Sequence, residues 1–262
     1  MKHWMWAALK NGLQDSMAYR SEFLIKIFVD AAVPAIVQII LWYAIFDLGH
    51  QNTVAGYTYA QMMSYTLMTV LFTQVRGGDH DFELAEMIRT GELSPYLLKP
   101  LNVVDFIYIR GVAHRLFVSV ICLCIGIGIS VFTELSPLRL IGGMMLALLG
   151  NLIHYQIGAA LASVSFSWEE GYALLMVKNR ITMFLSGELI PLFLIPESYA
   201  WIWKSLPFYL YVFGPSQYAL GNWSHHEFII QFSIGIGWLI ITSMLTRYTW
   251  RTGIRHYQGL GG

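Results

Sequence analysis

Six stretches of this chain are each apolar for long enough to cross a lipid bilayer, and no other feature of the sequence restricts its fold as much. A helix crossing about 30 Å of hydrocarbon needs about 20 mostly apolar residues. Leu24 to Phe46, Tyr57 to Val75, Arg115 to Phe132, Leu138 to Phe166, Tyr172 to Ile190 and Phe228 to Trp250 approximate that length. Lipid offers no partner for backbone N–H and C=O groups, so such segments must be helical. Composition agrees: 56% of the residues are hydrophobic and 12% charged, against about a quarter charged in soluble domains. The expectation is an all-α polytopic membrane protein, one transmembrane domain over residues 1–262 with six transmembrane helices.

The first 20 residues, "MKHWMWAALKNGLQDSMAYR", have neither the compact apolar core nor the small-residue cleavage site of a secretory signal. Six crossings with no cleaved leader put both ends on one side. With the N-terminus inside, Arg139 and Lys204 are the only basic residues left outside, and the other Lys and Arg fall at or near the inner face. Both termini are therefore expected in the cytoplasm. Net charge is zero with no block of like charge, which gives no electrostatic case for nucleic acid. Cys122 and Cys124 point to nearly opposite sides of a helix, cannot easily bridge, and read as buried apolar filler.

Before the first span, Trp6, Leu9, Leu13 and Met17 recur at helical spacing while Lys10, Asn11, Gln14 and Asp15 lie on other faces. This pattern suits an amphipathic helix over residues 1–22 in the headgroup plane. Glu22, Lys26 and Asp30 then form one helical stripe. Lys26 can snorkel, and Asp30, about 6 Å deeper along the axis, pairs with it or faces a cavity or partner subunit. The fourth span is about 43 Å long if helical throughout, and Asn151, His154 and Gln156 fall near its middle. Intramembrane polar groups of this kind normally face protein or a water-lined path. No second His or carboxylate lies at metal-ligand spacing, so no metal site is expected.

Residues 186–221, "SGELIPLFLIPESYAWIWKSLPFYLYVFGPSQYALG", hold Pro191, Pro196, Pro207 and Pro215, half of the 8 prolines in the chain. No single helix can continue through them, yet the run is too apolar for an ordinary exposed loop. Short re-entrant helices dipping into the outer leaflet satisfy both facts.

Between the second and third spans lies "IRTGELSPYLLKPLN". "DHDFELAEMIRT" reads as a helix stopped by Gly91, and a second short helix starts with Ser94 as N-cap and Pro95 at the first helical position, ending near Lys99 because Pro100 follows. Tyr96, Leu97 and Leu98 on so short a helix need a surface to dock on: the membrane, the protein's own spans, or a cleft in a partner. Arg89, Glu92 and Lys99 would form the polar rim of that contact.

This stretch resembles the cytoplasmic signature of type-2 ABC exporter permeases: a charged residue before a Gly, a Leu-rich turn and a Pro-Leu pair. The order of parts matches over essentially the whole length, including a Ser186, Gly187, Pro191, Pro196 landmark before the last span. The resemblance implies that residues 77–101 carry a coupling helix seated in a cytoplasmic ATPase subunit, through Arg89, Gly91, Glu92, Pro95, Tyr96, Leu97, Leu98 and Pro100. It further implies that residues 186–221 roof the translocation path, with Ser186, Gly187, Glu188, Pro191 and Pro196 at the gate. Two ATPase copies, a second permease (identical or a sister chain) and a bacterial inner membrane belong to the same expectation, with ATP and Mg bound by the ATPase and no cofactor in this chain. The wording "LLKPLN" is closest to a subgroup with two different permeases beside one ATPase.

No G-x-x-x-x-G-K-[ST] loop and no Gly-Lys pair occur in the sequence, so nucleotide binding is expected elsewhere. An ion-coupled secondary transporter would need midplane carboxylates on broken helices in repeated halves, and no such repeat is found. An intramembrane enzyme would need a matched nucleophile and base. Ser186 has no paired histidine, and the adjacent His225, His226 and Glu227 do not make an H-E-x-x-H face.

Overall fold

A computed structural model describes residues 3–18, 20–77, 80–130, 135–168 and 171–257. The described chain is helical, with a single isolated bridge between Val54 and Tyr57 and no strand. Its elements in order are α1 (His3–Ala18), α2 (Arg20–Tyr43, continued by a π turn Ala44–Leu48), α3 (Tyr59–Arg76), α4 (His80–Arg89) and α5 (Ser94–Leu97). Next come α6 (Val103–Ser130), α7 (Pro137–Ala162), α8 (Gly171–Leu185), α9 (Ala200–Ser205), α10 (Phe213–Ala219) and α11 (His225–Gly253).

Four helical stretches among the described residues are long and apolar enough to cross a membrane: Phe28–Leu48, Val103–Gly128, Pro137–Phe166 and His225–His256. The other two expected spans are different in kind. Helix α3 has 18 residues and buries Thr66, Thr69 and Gln74 along with its apolar side chains. Helix α8 has 15 residues, about 22 Å, and stops at Leu185 rather than Ile190 because the backbone turns at Gly187 with φ of +78°. Only a glycine adopts that conformation without strain.

Capping chemistry sets two of the helix starts. Thr58 with Gln61, and Ser224 with Glu227, each form a reciprocal capping box that opens α3 and α11. Asn102 accepts hydrogen bonds from the Val104 and Asp105 N–H groups at 3.1 and 3.4 Å, which starts α6 a dozen residues ahead of the apolar run. The expected third span from Arg115 is thus the continuation of a helix already begun.

Helix α7 is the axis of the bundle. It runs unbroken past Asn151, His154 and Gln156, then tightens into a 3₁₀ turn at Ser163–Phe166. Its main cluster joins Phe72 and Val75 of α3, Leu146 and Ile153 of α7, and Tyr211 and Phe213 near α10. A second cluster gathers Leu84, Ile88, Leu93, Val103, Ile107, Tyr155 and Phe166 at the end of the bundle that carries α4 and α5. Helix α2 lies at the edge and leaves most of its apolar side chains exposed.

Helix α1 exists as expected. Ala8 and Gly12 are buried and Trp4 stands 6.5 Å from Phe106 of α6, whereas Trp6 is 63% exposed. The side chains of Leu13 and Met17 lie outside the described set. Small residues at 8 and 12 let the helix approach α6 closely and leave Trp6 on the open side. The pair of cysteines also splits: Cys122 is buried, and Cys124 is exposed rather than core filler.

Candidate functional site

The turn after α4 is held at its base and bare at its tip. Gly91 takes φ of +77° and ends α4. Leu93 follows at 0% exposure, packed in the cluster with Leu84 and Ile88. The Tyr257 hydroxyl donates to the Gly91 carbonyl at 2.8 Å and sits 2.9 Å from the Ser94 hydroxyl. Ser94 is therefore engaged with Tyr257 and does not cap α5. Leu93 holds the cap position, which moves the expected helix start by one residue and places Pro95 in the first turn.

Tyr96 packs on Phe106 at 5.5 Å between ring centres, with the Lys99 ammonium 5.1 Å over its ring. Leu97 is 37% and Leu98 88% exposed, and Glu92, Pro95, Lys99 and Pro100, close by in the chain, are exposed too. Arg89 pairs with Glu86 at 2.6 Å on the same surface, and this pairing holds the Glu86 carboxyl below the usual carboxylate range. A one-turn helix has no stability of its own. Its rigidity comes from Leu93 and Tyr257.

Directly above lies a buried polar cluster. Asp81 of α4 and Lys178 of α8 form an ion pair at 2% and 6% exposure, with His154 of α7 at 3.2 Å from the Lys178 ammonium. Gly158 makes room for the carboxylate: a Cβ there would stand 2.2 Å from Asp81 Oδ2. Helix α4 is further tied to α6 through Glu83 and Arg110. Asn151 donates to the last carbonyls of α3, those of Val75 and Arg76, and accepts from the Tyr108 hydroxyl at 3.1 Å. It thereby satisfies a helix end that lipid could not.

The third part is the segment after α8. Ser186 is fully buried, and its carbonyl accepts from the Phe213 N–H at 3.0 Å. The Gly187 carbonyl accepts from the Tyr65 hydroxyl at 2.6 Å, and the Glu188 carbonyl from Gln38 Nε2 at 2.8 Å. The Glu188 carboxylate pairs with Arg76 at 2.8 Å, both side chains nearly buried. Pro191 is buried ahead of a 3₁₀ turn Leu192–Leu194, and Pro196 is exposed at the start of the next, Glu197–Tyr199. After α9 the chain folds into the interior: Tyr211 is fully buried, its ring 5.4 Å from that of His154. Replacing Gly187 by Ala would bring Cβ to 2.8 Å from the Tyr65 oxygen at a backbone angle that L-residues avoid. The expected outcome is a cost of about 1–3 kcal/mol, read as a lower unfolding midpoint, with Tyr65→Phe milder because it removes one hydrogen bond and no packing.

The residues expected at the exposed turn lie together in and beside α5, and the structure joins Ser186 to α10, Gly187 to α3, and Glu188 to α2 and α3. The intramembrane polar residues do not assemble as a group. Asn151 and His154 belong to the buried cluster, Gln156 is half-buried on another face of α7, and Asp30 is exposed on α2 beside Phe28 and Val29. The Lys26 side chain lies outside the described set. Asp81, Lys178, Arg76 and Leu93 were not among the expected site residues. Asp81 shares α4 with Glu83, Glu86 and Arg89, and Lys178 shares α8 with Arg180, so nothing in either helix alone marks the two as a buried pair.

Long apolar helices around a polar-bridged core define a polytopic helical membrane protein. Residues 32–261 match the family described as ABC-2 family transporter protein, and the chain belongs to that family. It is the membrane permease component of an ABC transporter, a kind of component that is generally not itself catalytic, and membership implies an ATP-binding cassette partner. Neither a curated protein nor a solved structure matches it.

Proposed function

We propose that this permease is half of an ATP-driven exporter whose cytoplasmic ATPase seats on the turn at residues 91–100. The observation that carries the reading is Leu98 at 88% exposure on a turn whose base is immobilised by Leu93 and Tyr257. A fixed apolar tip with a charged rim suits a cleft in a partner. In this reading α3 and α8 complete six crossings together with the four apolar helices, lying against α7 rather than in lipid. Both termini and α5 face the cytoplasm of a bacterial inner membrane, and residues 186–221 re-enter from the outside to form the gate. Two ATPase copies hold ATP and Mg, and a second permease, identical or a sister chain, completes the path.

The buried cluster gives force a route. Movement of α5 is carried by α4, and α4 is bonded to α8 through Asp81 and Lys178. Helix α8 leads directly into Ser186–Glu188, where Arg76 and Tyr65 hold the gate to α3. A rigid element with two arrangements is what alternating access requires.

The test is cross-linking. Leu98→Cys in native membranes, treated with a short bifunctional thiol reagent, is expected to join this chain to a protein carrying a nucleotide-binding G-x-x-x-x-G-K-[ST] loop, with the yield changing on ATP addition. Cross-links only to lipid or to other parts of this chain would overturn the assignment.

A further inference from the structure

A cleft of about 550 Å³ opens among the short helices that follow α8, within the size range of small-molecule sites. Tyr57, Phe193, Trp203, Tyr209, Phe213 and Trp223 give it aromatic walls. Tyr57 is stacked on Phe193 at 3.8 Å between ring centres, and Tyr209 on Trp223 at 5.6 Å. Phe193 and Phe213 also pack on Tyr65, the residue that holds the Gly187 carbonyl, so the cleft borders the gate.

The buried polar groups of this lining are of one kind. Gln217 of α10 is 4% exposed. Asn222 Nδ2 donates to its Oε1 at 2.7 Å, which fixes the amide and leaves Nε2 buried without an acceptor. The indole Nε1 of Trp203, on α9, is likewise buried without one. A buried N–H left unsatisfied is costly, and each one in a folded chain calls for a partner.

Charge points the same way. Among the described residues no carboxylate lines the cleft, and Lys204 stands exposed at its rim. Glu227, on which the Lys204 charge acts, is engaged as the cap of α11, where its Oε2 accepts from the Ser224 N–H at 2.7 Å. Arg139, the other basic residue that the charge bias leaves outside, is committed to the Trp223 carbonyl at 2.7 Å and lies over the Tyr218 ring. Two buried N–H groups under an ammonium match a group that only accepts. An ionised carboxylate is such a group, and its charge-assisted hydrogen bonds are the stronger kind. The walls suit planar rings, which pack on aromatic side chains offset or edge to face.

We infer that this cleft binds an organic anion built on a planar aromatic body, its carboxylate accepting from the Gln217 amide and the Trp203 indole under the Lys204 charge. The inference rests on the permease reading for placing the cleft at the outer face.

The test is saturable binding of radiolabelled 2-naphthoate to the permease–ATPase complex in phosphatidylcholine nanodiscs, with the uptake of protein-free nanodiscs subtracted. The naphthoate is expected to bind at least about tenfold more tightly than 2-naphthylmethanol, which keeps the rings and loses the charge. It should surpass cyclohexanecarboxylate, which keeps the charge and loses the rings, by a similar factor. The cation 2-naphthylmethylammonium should not compete. Gln217→Leu should weaken naphthoate at least about tenfold and naphthylmethanol less, a change of ratio that a general loosening of the fold would not produce. Lys204→Gln should weaken naphthoate several-fold and flatten its salt dependence, with an unchanged unfolding midpoint because the side chain is exposed. Equal affinity for naphthoate and naphthylmethanol, displacement by the cation, a preference that survives both substitutions, or no saturable binding would overturn the assignment. A complex that holds its ATPase but shows no preference sinks the cleft alone. A chain with the preference but no ATPase keeps the cleft and sinks the coupling reading.

Discussion

Replacing Leu97 and Leu98 together by Asp is expected to strip the ATPase from the permease while leaving the helices inserted and folded. Among the described residues neither side chain belongs to a buried cluster; Leu98 is 88% exposed and Leu97 37%. Their loss therefore costs the fold little. In a partner's cleft, each leucine would contribute about 1.5–3 kcal/mol on full burial. Removing both, and burying carboxylates in their place, should weaken association by at least about 100-fold. Co-purification of the ATPase and a thermal unfolding curve of the permease read the two effects separately. Undiminished co-purification would place the contact elsewhere. A collapsed midpoint would mean that the leucines serve the fold after all.

The second large effect is expected at the buried ion pair. Asp81→Asn removes the carboxylate paired with the Lys178 ammonium, which lies at 6% exposure. Breaking such a pair from one side costs about 3–5 kcal/mol, which should lower the unfolding midpoint by about 10 °C. The double substitution Asp81→Leu with Lys178→Met removes both charges, and most of the lost stability should return. Transport should not return with it, because the directional link between α4 and α8 is gone. A double variant that transports normally would show that the pair serves stability alone, and an unaffected single variant would remove it from the account.

Much of this molecule is legible in its sequence, and what is not has specific causes. Apolar length marks the helices that must satisfy their backbones in lipid, and the four apolar stretches between Phe28 and His256 follow from it. Boundaries set by polar chemistry are harder to see. Asn102 starts α6 ahead of Asp105, Arg110 and Arg115, whose charges hide the first turns of the helix from a hydropathy reading. The end of α8 depends on Tyr65 and Phe213 meeting Gly187, contacts between residues far apart in the chain.

The exposed turn follows the same division. Its punctuation by Gly91, Pro95 and Pro100 is local and readable. Leu93 looks no different in sequence from Leu97 and Leu98, yet it anchors the turn while they crown it. Only the packing of α4 against α6 and α7 separates anchor from tip. Asp81 and Lys178, 97 positions apart, are joined by the way α4 and α8 pack on α7, and no periodicity within either helix reveals the pair.

The most direct measurement is the mass of the native complex extracted from membranes. The account predicts an assembly with two permease chains, at least one of them this 29.8 kDa polypeptide, and two copies of a soluble-type subunit that binds ATP. A transport-competent particle built from this chain alone, with no nucleotide-binding subunit in any preparation, would contradict it.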